Sequence, residues 1–98
     1  MERENNLVIL YDYYGELLTD SQKQYFEDYY FNNLTLSEIA DNYNVSRNAV
    51  HKQIKASEEK LYFYENTLKL YKKNEEVRKI LENDKKLCDE IMNILEGE

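Results

Sequence analysis

The sequence predicts an all-α protein, on three observations: none of its 98 residues is proline, glycine occurs only at Gly15 and Gly97, and apolar residues recur at three- and four-residue spacing along most of the chain. With so little proline and glycine, the chain lacks the residues that tight hairpins and sheet corners require. Its length suits one core, or a smaller domain with an arm. Hydrophobic residues make up 42% and charged residues 34%, enough apolar side chain for that core, and no apolar run approaches the length that spans a bilayer. The start, Met1-Glu2-Arg3-Glu4-Asn5, has neither the basic beginning nor the apolar stretch of a secretory signal. The single cysteine, Cys88, cannot form an internal disulfide. A soluble, cytoplasmic protein is therefore expected.

The elements follow in order. Leu7, Leu10, Tyr11 and Tyr14 line one helical face and Gly15 stands where a left-handed cap would end it, predicting a first helix over 4–14. Thr19 and Gln22 have capping-box spacing, and Tyr25, Phe26, Tyr29 and Tyr30 then mark a second helix over 20–31, its aromatic stripe read as core packing rather than a stacking platform. Asn32-Asn33 breaks the pattern. Thr35 and Glu38 repeat the capping box for a third helix with Leu36, Ile39, Ala40 and Tyr43 facing inward. Asn44 falls at a sharp turn, where asparagine tolerates positive φ, Val45 is expected to plug that turn, and Ser46 caps a fourth helix from 47.

On that fourth helix, at roughly 100° per residue, Val50, Ile54, Ser57 and Leu61 fall within an arc of about 60°, while Arg47, Asn48, His51, Lys52 and Lys55 share a separate arc of about 140°. The first arc is expected to face the core and the second a partner. Beyond Leu61 the stripe continues through Tyr64, Leu68 and Tyr71 and fails across Lys72–Glu76, where a break is expected. It resumes with Val77, Ile80, Leu81, Leu87, Cys88, Ile91, Ile94 and Leu95, interrupted at Asn83-Asp84, so one or two further helices are expected over 76–95. This divides the chain into a helix-turn-helix domain over 1–61 and a helical arm over 62–98. The arm carries more apolar side chain than the first unit can cover, so it packs back or pairs with a second chain, and a homodimer is the favoured reading.

Net charge is −7, which taken alone argues against a nucleic-acid partner. Its distribution matters more. Residues 1–45 carry nine acids and two bases, residues 46–60 four bases and two acids, and residues 61–98 nine acids and seven bases. Of these three stretches only 46–60 is net positive, and it is the predicted recognition helix. Catalytic material is sparse: one histidine, one cysteine, no Gly-rich phosphate loop and no His/Cys cluster with metal-ligand spacing. No metal site or enzymatic activity is expected, and Cys88 reads as a small hydrophobe.

The segment Leu34–Lys55 joins a capped helix, a small residue at the helix crossing (Ala40), a turn asparagine and a second helix with outward polar residues, the design of a helix-turn-helix. Through Leu36-Ser37-Glu38-Ile39-Ala40 and Val45-Ser46-Arg47 it resembles region 4 of bacterial sigma factors. More narrowly, Tyr11-Asp12-Tyr13-Tyr14-Gly15-Glu16-Leu17-Leu18-Thr19 ahead of an aromatic helix, and Ile54-Lys55-Ala56-Ser57-Glu58 leading to Leu61 and Tyr64-Glu65, resemble the YlxM family over about residues 7–71. That resemblance implies a sigma region 4-like, all-α four-helix unit in a small cytoplasmic regulator associated with the signal recognition particle pathway. It implies no catalytic residues and no cofactor. The positions it points to are Arg47, Asn48, His51, Lys52 and Lys55, binding DNA or the particle's RNA. Glu58 and Glu59 follow the cations and residues 1–45 are acidic, so the affinity expected is modest. The alternative is a non-catalytic interaction module whose partner is a protein component of the same pathway.

Overall fold

A computed structural model describes residues 2–82 and 84–97, with side chains from residue 4 onward. Among these residues there are six α-helices, one 3-10 turn and no strand. Helix α1 spans Glu2–Tyr14 and runs into the turn Gly15–Leu17; α2 spans Asp20–Tyr30, α3 Leu36–Tyr43, α4 Arg47–Leu68, α5 Leu70–Leu81 and α6 Lys85–Glu96. The 22 residues of α4 make a rod of about 33 Å against which α1, α2 and α3 all pack. The boundary expected after Leu61 therefore falls within one continuous helix.

Local sequence explains most helix starts. Thr19 accepts from the Gln22 N–H while Gln22 reaches back to the Thr19 N–H, and Thr35 and Glu38 repeat the arrangement, so both capping boxes form. Asn44 is left-handed at φ 55 and closes a Schellman motif: the Val45 N–H donates to the Ala40 carbonyl at 3.0 Å and the Asn44 N–H to that of Asp41 at 3.4 Å. Val45 was expected to plug the turn with its side chain. Instead its backbone closes the turn, and the side chain stays 40% exposed.

Two clusters make the core, both resting on α4. Leu7, Leu10, Tyr14, Leu18, Phe26 and Leu61 form one; Tyr25, Ile39, Ala40, Val50 and Ile54 form the other. The aromatic stripe of α2 is core as expected on its inner side, with Phe26 fully buried and stacked on Tyr11 at 4.5 Å between centroids. Tyr43 sits at the rim with its ring edge-on to Tyr25 at 5.1 Å, more exposed than its place in the apolar pattern implied. Several phenols at this periphery donate to carboxylates: Tyr11 to Glu27, Tyr14 to Glu65 at 2.6 Å, Tyr30 to Glu58 at 2.5 Å and Tyr43 to Asp28 at 3.1 Å.

Two further expectations need correction. Gly15 is not a left-handed cap; it is buried at the start of the 3-10 turn, where a Cβ would meet the Tyr11 ring at 3.0 Å. Close approach, not positive φ, is what glycine serves there. The helix break expected across Lys72–Glu76 falls earlier, at Lys69, which is left-handed at φ 58. The reason is long-range. The Glu65 carboxylate accepts from the Tyr71 and Lys72 N–H groups at 3.2 and 3.1 Å, and the Leu70 N–H donates to the Tyr14 hydroxyl at 3.0 Å. Tyr14 and Glu65 together thus satisfy three orphan donors at the start of α5, which has no side-chain cap of its own. The interruption expected at Asn83-Asp84 falls between α5 and α6: Asp84 caps α6 by accepting from the Leu87 N–H at 3.1 Å, and Asn83 lies outside the described residues.

Helices α5 and α6 form a hairpin that touches the rest of the protein mainly through α5, with Leu95 and Glu96 of α6 flanking a cleft beside Asp12 and Tyr13. Tyr71 packs on Tyr13 at 5.8 Å, Asn74 binds the Tyr13 hydroxyl, and Arg78 pairs with Glu96 at 2.9 Å. Cys88 is a free thiol, half-buried in α6. No described helix is long and apolar enough to cross a membrane.

Candidate nucleic-acid interface

The candidate interface is built by α3, the turn at Asn44 and the first turns of α4. Ser46 has extended backbone, and its hydroxyl accepts from the Ala49 N–H at 3.0 Å, so α4 begins at Arg47. From there the periodicity fixes the rest. Val50 is 0% exposed, Ile54 3%, Ser57 0% and Leu61 0%, so the inward arc is the one expected. Ser57 is tolerated there because its hydroxyl donates to the Gln53 carbonyl at 2.8 Å. Ala40, 5% exposed, belongs to the same cluster as Val50 and Ile54, where its small side chain suits a close helix crossing.

Arg47, Asn48, His51, Lys52 and Lys55 are all exposed. The described ion pairs are Lys23–Glu16, Arg78–Glu75 and Arg78–Glu96, so the three cations of the recognition helix are committed to none of the described carboxylates. Shallow clefts flank them. One, of about 530 Å³, lies between Lys52 and the start of α2 at Thr19 and Ser21; the other, of about 250 Å³, places His51 and Lys55 opposite Tyr29 and Glu4. Among the described residues no three His, Cys, Asp or Glu side chains come together to hold a metal ion.

Two residues in this stretch depart from the sequence reading. Glu58, expected among the acids that limit phosphate contact, is 7% exposed and receives the Tyr30 hydroxyl, so of the two acids only Glu59 is displayed. Lys60 is turned aside to the Gln22 Oε1 at 3.0 Å. The surface charge of this stretch is therefore Arg47, Lys52 and Lys55 against Glu59. Neither inversion could be read from helical angle, because both residues sit at the margin of the buried arc and are drawn in by side chains of α2.

The acidic first half is also partly spoken for. Glu38 closes its capping box, where hydrogen bonds from Thr35 hold its carboxyl below the usual range. Glu16 pairs with Lys23 at 3.0 Å. The phenols of Tyr11 and Tyr43 donate to Glu27 and Asp28. Burial and the neighbouring carboxylates push the Tyr11 and Tyr43 hydroxyls up, so both stay protonated donors.

Known proteins match this sequence along nearly its whole length. A family profile described as "Putative helix-turn-helix protein, YlxM / p13 like" matches residues 1–95. A UPF0122 protein of Malacoplasma penetrans is 47% identical over 91 residues, covering 90% of this chain and 84% of that protein. One of Bacillus licheniformis is 44% identical over 89 residues, 91% of this chain and 83% of that protein. One of Bacillus pumilus is 39% identical over 98 residues, the whole of this chain and 89% of that protein. With its capped recognition helix in place and a family match over residues 1–95, this chain belongs to the UPF0122 family of YlxM/p13-like helix-turn-helix proteins.

Proposed function

We propose that this protein is a non-catalytic, cytoplasmic regulator that binds nucleic acid through the first turns of α4. The observation that carries this reading is the set of three exposed cations, Arg47, Lys52 and Lys55, beside Asn48 and His51 on a helix whose opposite face is sealed into the core. Cations supply attraction to phosphate, and Asn48 and Arg47 have the donor geometry that reads base edges. Its likeness to sigma region 4 supports duplex DNA as the target. The YlxM resemblance supports the RNA of the signal recognition particle.

The test is a binding series with duplex DNA and with that RNA across salt. Three cations at about 0.9 counterions each predict a slope of log K against log salt near −3 or shallower. Reversing Lys52 and Lys55 to glutamate removes binding and leaves the thermal midpoint in place. Absence of binding to either nucleic acid at low salt defeats the reading. A second reading, a protein component of the same pathway as partner, draws on the exposed aliphatics of the arm, and capture of that protein by the charge-reversed variant is its signature. In both readings we take residues 1–61 as the helix-turn-helix domain, 62–98 as the arm, and the arm as the route to a homodimer.

A further inference from the structure

The most regular apolar pattern of the arm is one its hairpin only partly covers, with Val77 and Ile91 half-buried and the rest exposed. Leu70, Val77, Ile80, Leu87, Ile91 and Ile94 stand at the alternating three- and four-residue spacings of a coiled-coil seam, with Lys73 and Asp84 in the two remaining places. The repeat keeps its phase across the turn between α5 and α6. None of its eight positions is buried: Ile80 is 78% exposed, Ile94 79%, Leu70 46% and Leu87 42%. What the hairpin buries instead are Asn74 and Met92, off that line, and the Asn74 Oδ1 has no hydrogen-bond partner among the described residues. Of the turn's described residues, Glu82 already has helical angles, φ −62 and ψ −24, whereas Asp84, at φ −122 and ψ 88, departs from them and caps α6 through the Leu87 N–H.

We propose that the arm has a second packing, in which α5 and α6 join into one helix of about 27 residues that pairs antiparallel with the same helix of a second copy of this chain. This rests on the dimer reading above and specifies it. The occupant is a second copy because the seam complements itself: run antiparallel, Leu70 meets Ile94 and Val77 meets Leu87 of the other chain. Charge sets the direction. A parallel pair in register would set Lys73 against Lys73 and Asp84 against Asp84 within the seam; the antiparallel pair sets them opposite Ile91 and Ile80 and leaves only Glu76 facing Glu90 at the exposed rim.

Lysine 85 provides the test. It is the first residue of α6, where proline fits because the N–H is unused, but in a continuous helix it would be interior, where proline breaks the ladder. Light scattering on the full wild-type chain at tens of micromolar is expected to give twice the 11.9 kDa chain mass. Lys85→Pro, still helical by circular dichroism and still unfolding cooperatively, is expected to weaken the dimer by about 100-fold or more, while Lys85→Ala does not. In a Cys88→Ser background, chains carrying Val77→Cys are expected to cross-link to chains carrying Leu87→Cys rather than to themselves. A dimeric Lys85→Pro overturns the continuous helix while the dimer stands, self-linked Val77→Cys overturns the antiparallel direction, and a monomeric wild type overturns both the pairing and the dimer.

Discussion

The helix-turn-helix of α3 and α4 and the hairpin of α5 and α6 are both made of amphipathic helices, yet they use them differently. In α3 and α4 the residues that recur most regularly, Ile39, Val50, Ile54 and Leu61, are at most 3% exposed. In α5 and α6 none of the most regular positions is buried: Ile80 and Ile94 face water, and Val77 and Ile91 are half-buried. The difference lies in what covers each helix: α4 is packed by α1, α2 and α3 at once, whereas α6 packs mainly on α5. Periodicity thus says that a face is apolar, and neighbours decide whether it is buried.

Substitutions sharpen the contrast. Phe26→Ala, in the cluster where α1, α2 and α4 meet, is expected to cost about 3–5 kcal/mol in urea unfolding, whereas Ile94→Ala on the arm is expected to stay within about 0.5 kcal/mol for the monomer. If the two cost the same, the arm is as tightly packed as the core and the comparison fails. Glu65→Ala strikes the joint between the regions. It leaves the Tyr14 hydroxyl and two α5 N–H groups short of an acceptor, for about 1–3 kcal/mol, with faster amide exchange at Tyr71 and Lys72 and none in α3.

Alkali acts on the same joint. Burial, then the Glu65 carboxylate, push the Tyr14 hydroxyl up to about 12, above its ordinary 10.0. The folded state therefore holds that proton more tightly than the unfolded chain. Stability from this pair is complete below pH 10 and is lost as pH rises toward 12, and phenolate absorbance should show Tyr14 among the late-titrating tyrosines. Ser46→Ala is expected to cost about 1 kcal/mol, read as fraying of the first turn of α4 with the fold intact.

How far the sequence could be read follows from the range of each interaction. Thr19 with Gln22, Thr35 with Glu38, and Ser46 with Ala49 lie three residues apart, so their pairing was visible in the spacing. Asn44 was visible because asparagine is one of the few residues suited to its φ. Lys69 was not, since its left-handed backbone follows from Tyr14 and Glu65, separated by 51 positions, converging on the start of α5. Glu58 was misread for a related reason: its fate is set by Tyr30, 28 positions away. The exposure of Arg47, Asn48, His51, Lys52 and Lys55 was legible, because it needed only the cap at Ser46 and the helical angle.

The phenol-to-carboxylate bonds carry a consequence for how the molecule responds to ionic strength. Glu27, Asp28 and Glu65 are each met by a neutral hydroxyl, so a chain with 20 acids and 13 bases need not use up cations to settle them. Contacts of that kind are not screened by dissolved ions as charge pairs are. Added electrolyte should therefore strip away whatever Arg47, Lys52 and Lys55 hold while scarcely moving the melting curve, so that release of the target and loss of the fold become separate events in one titration.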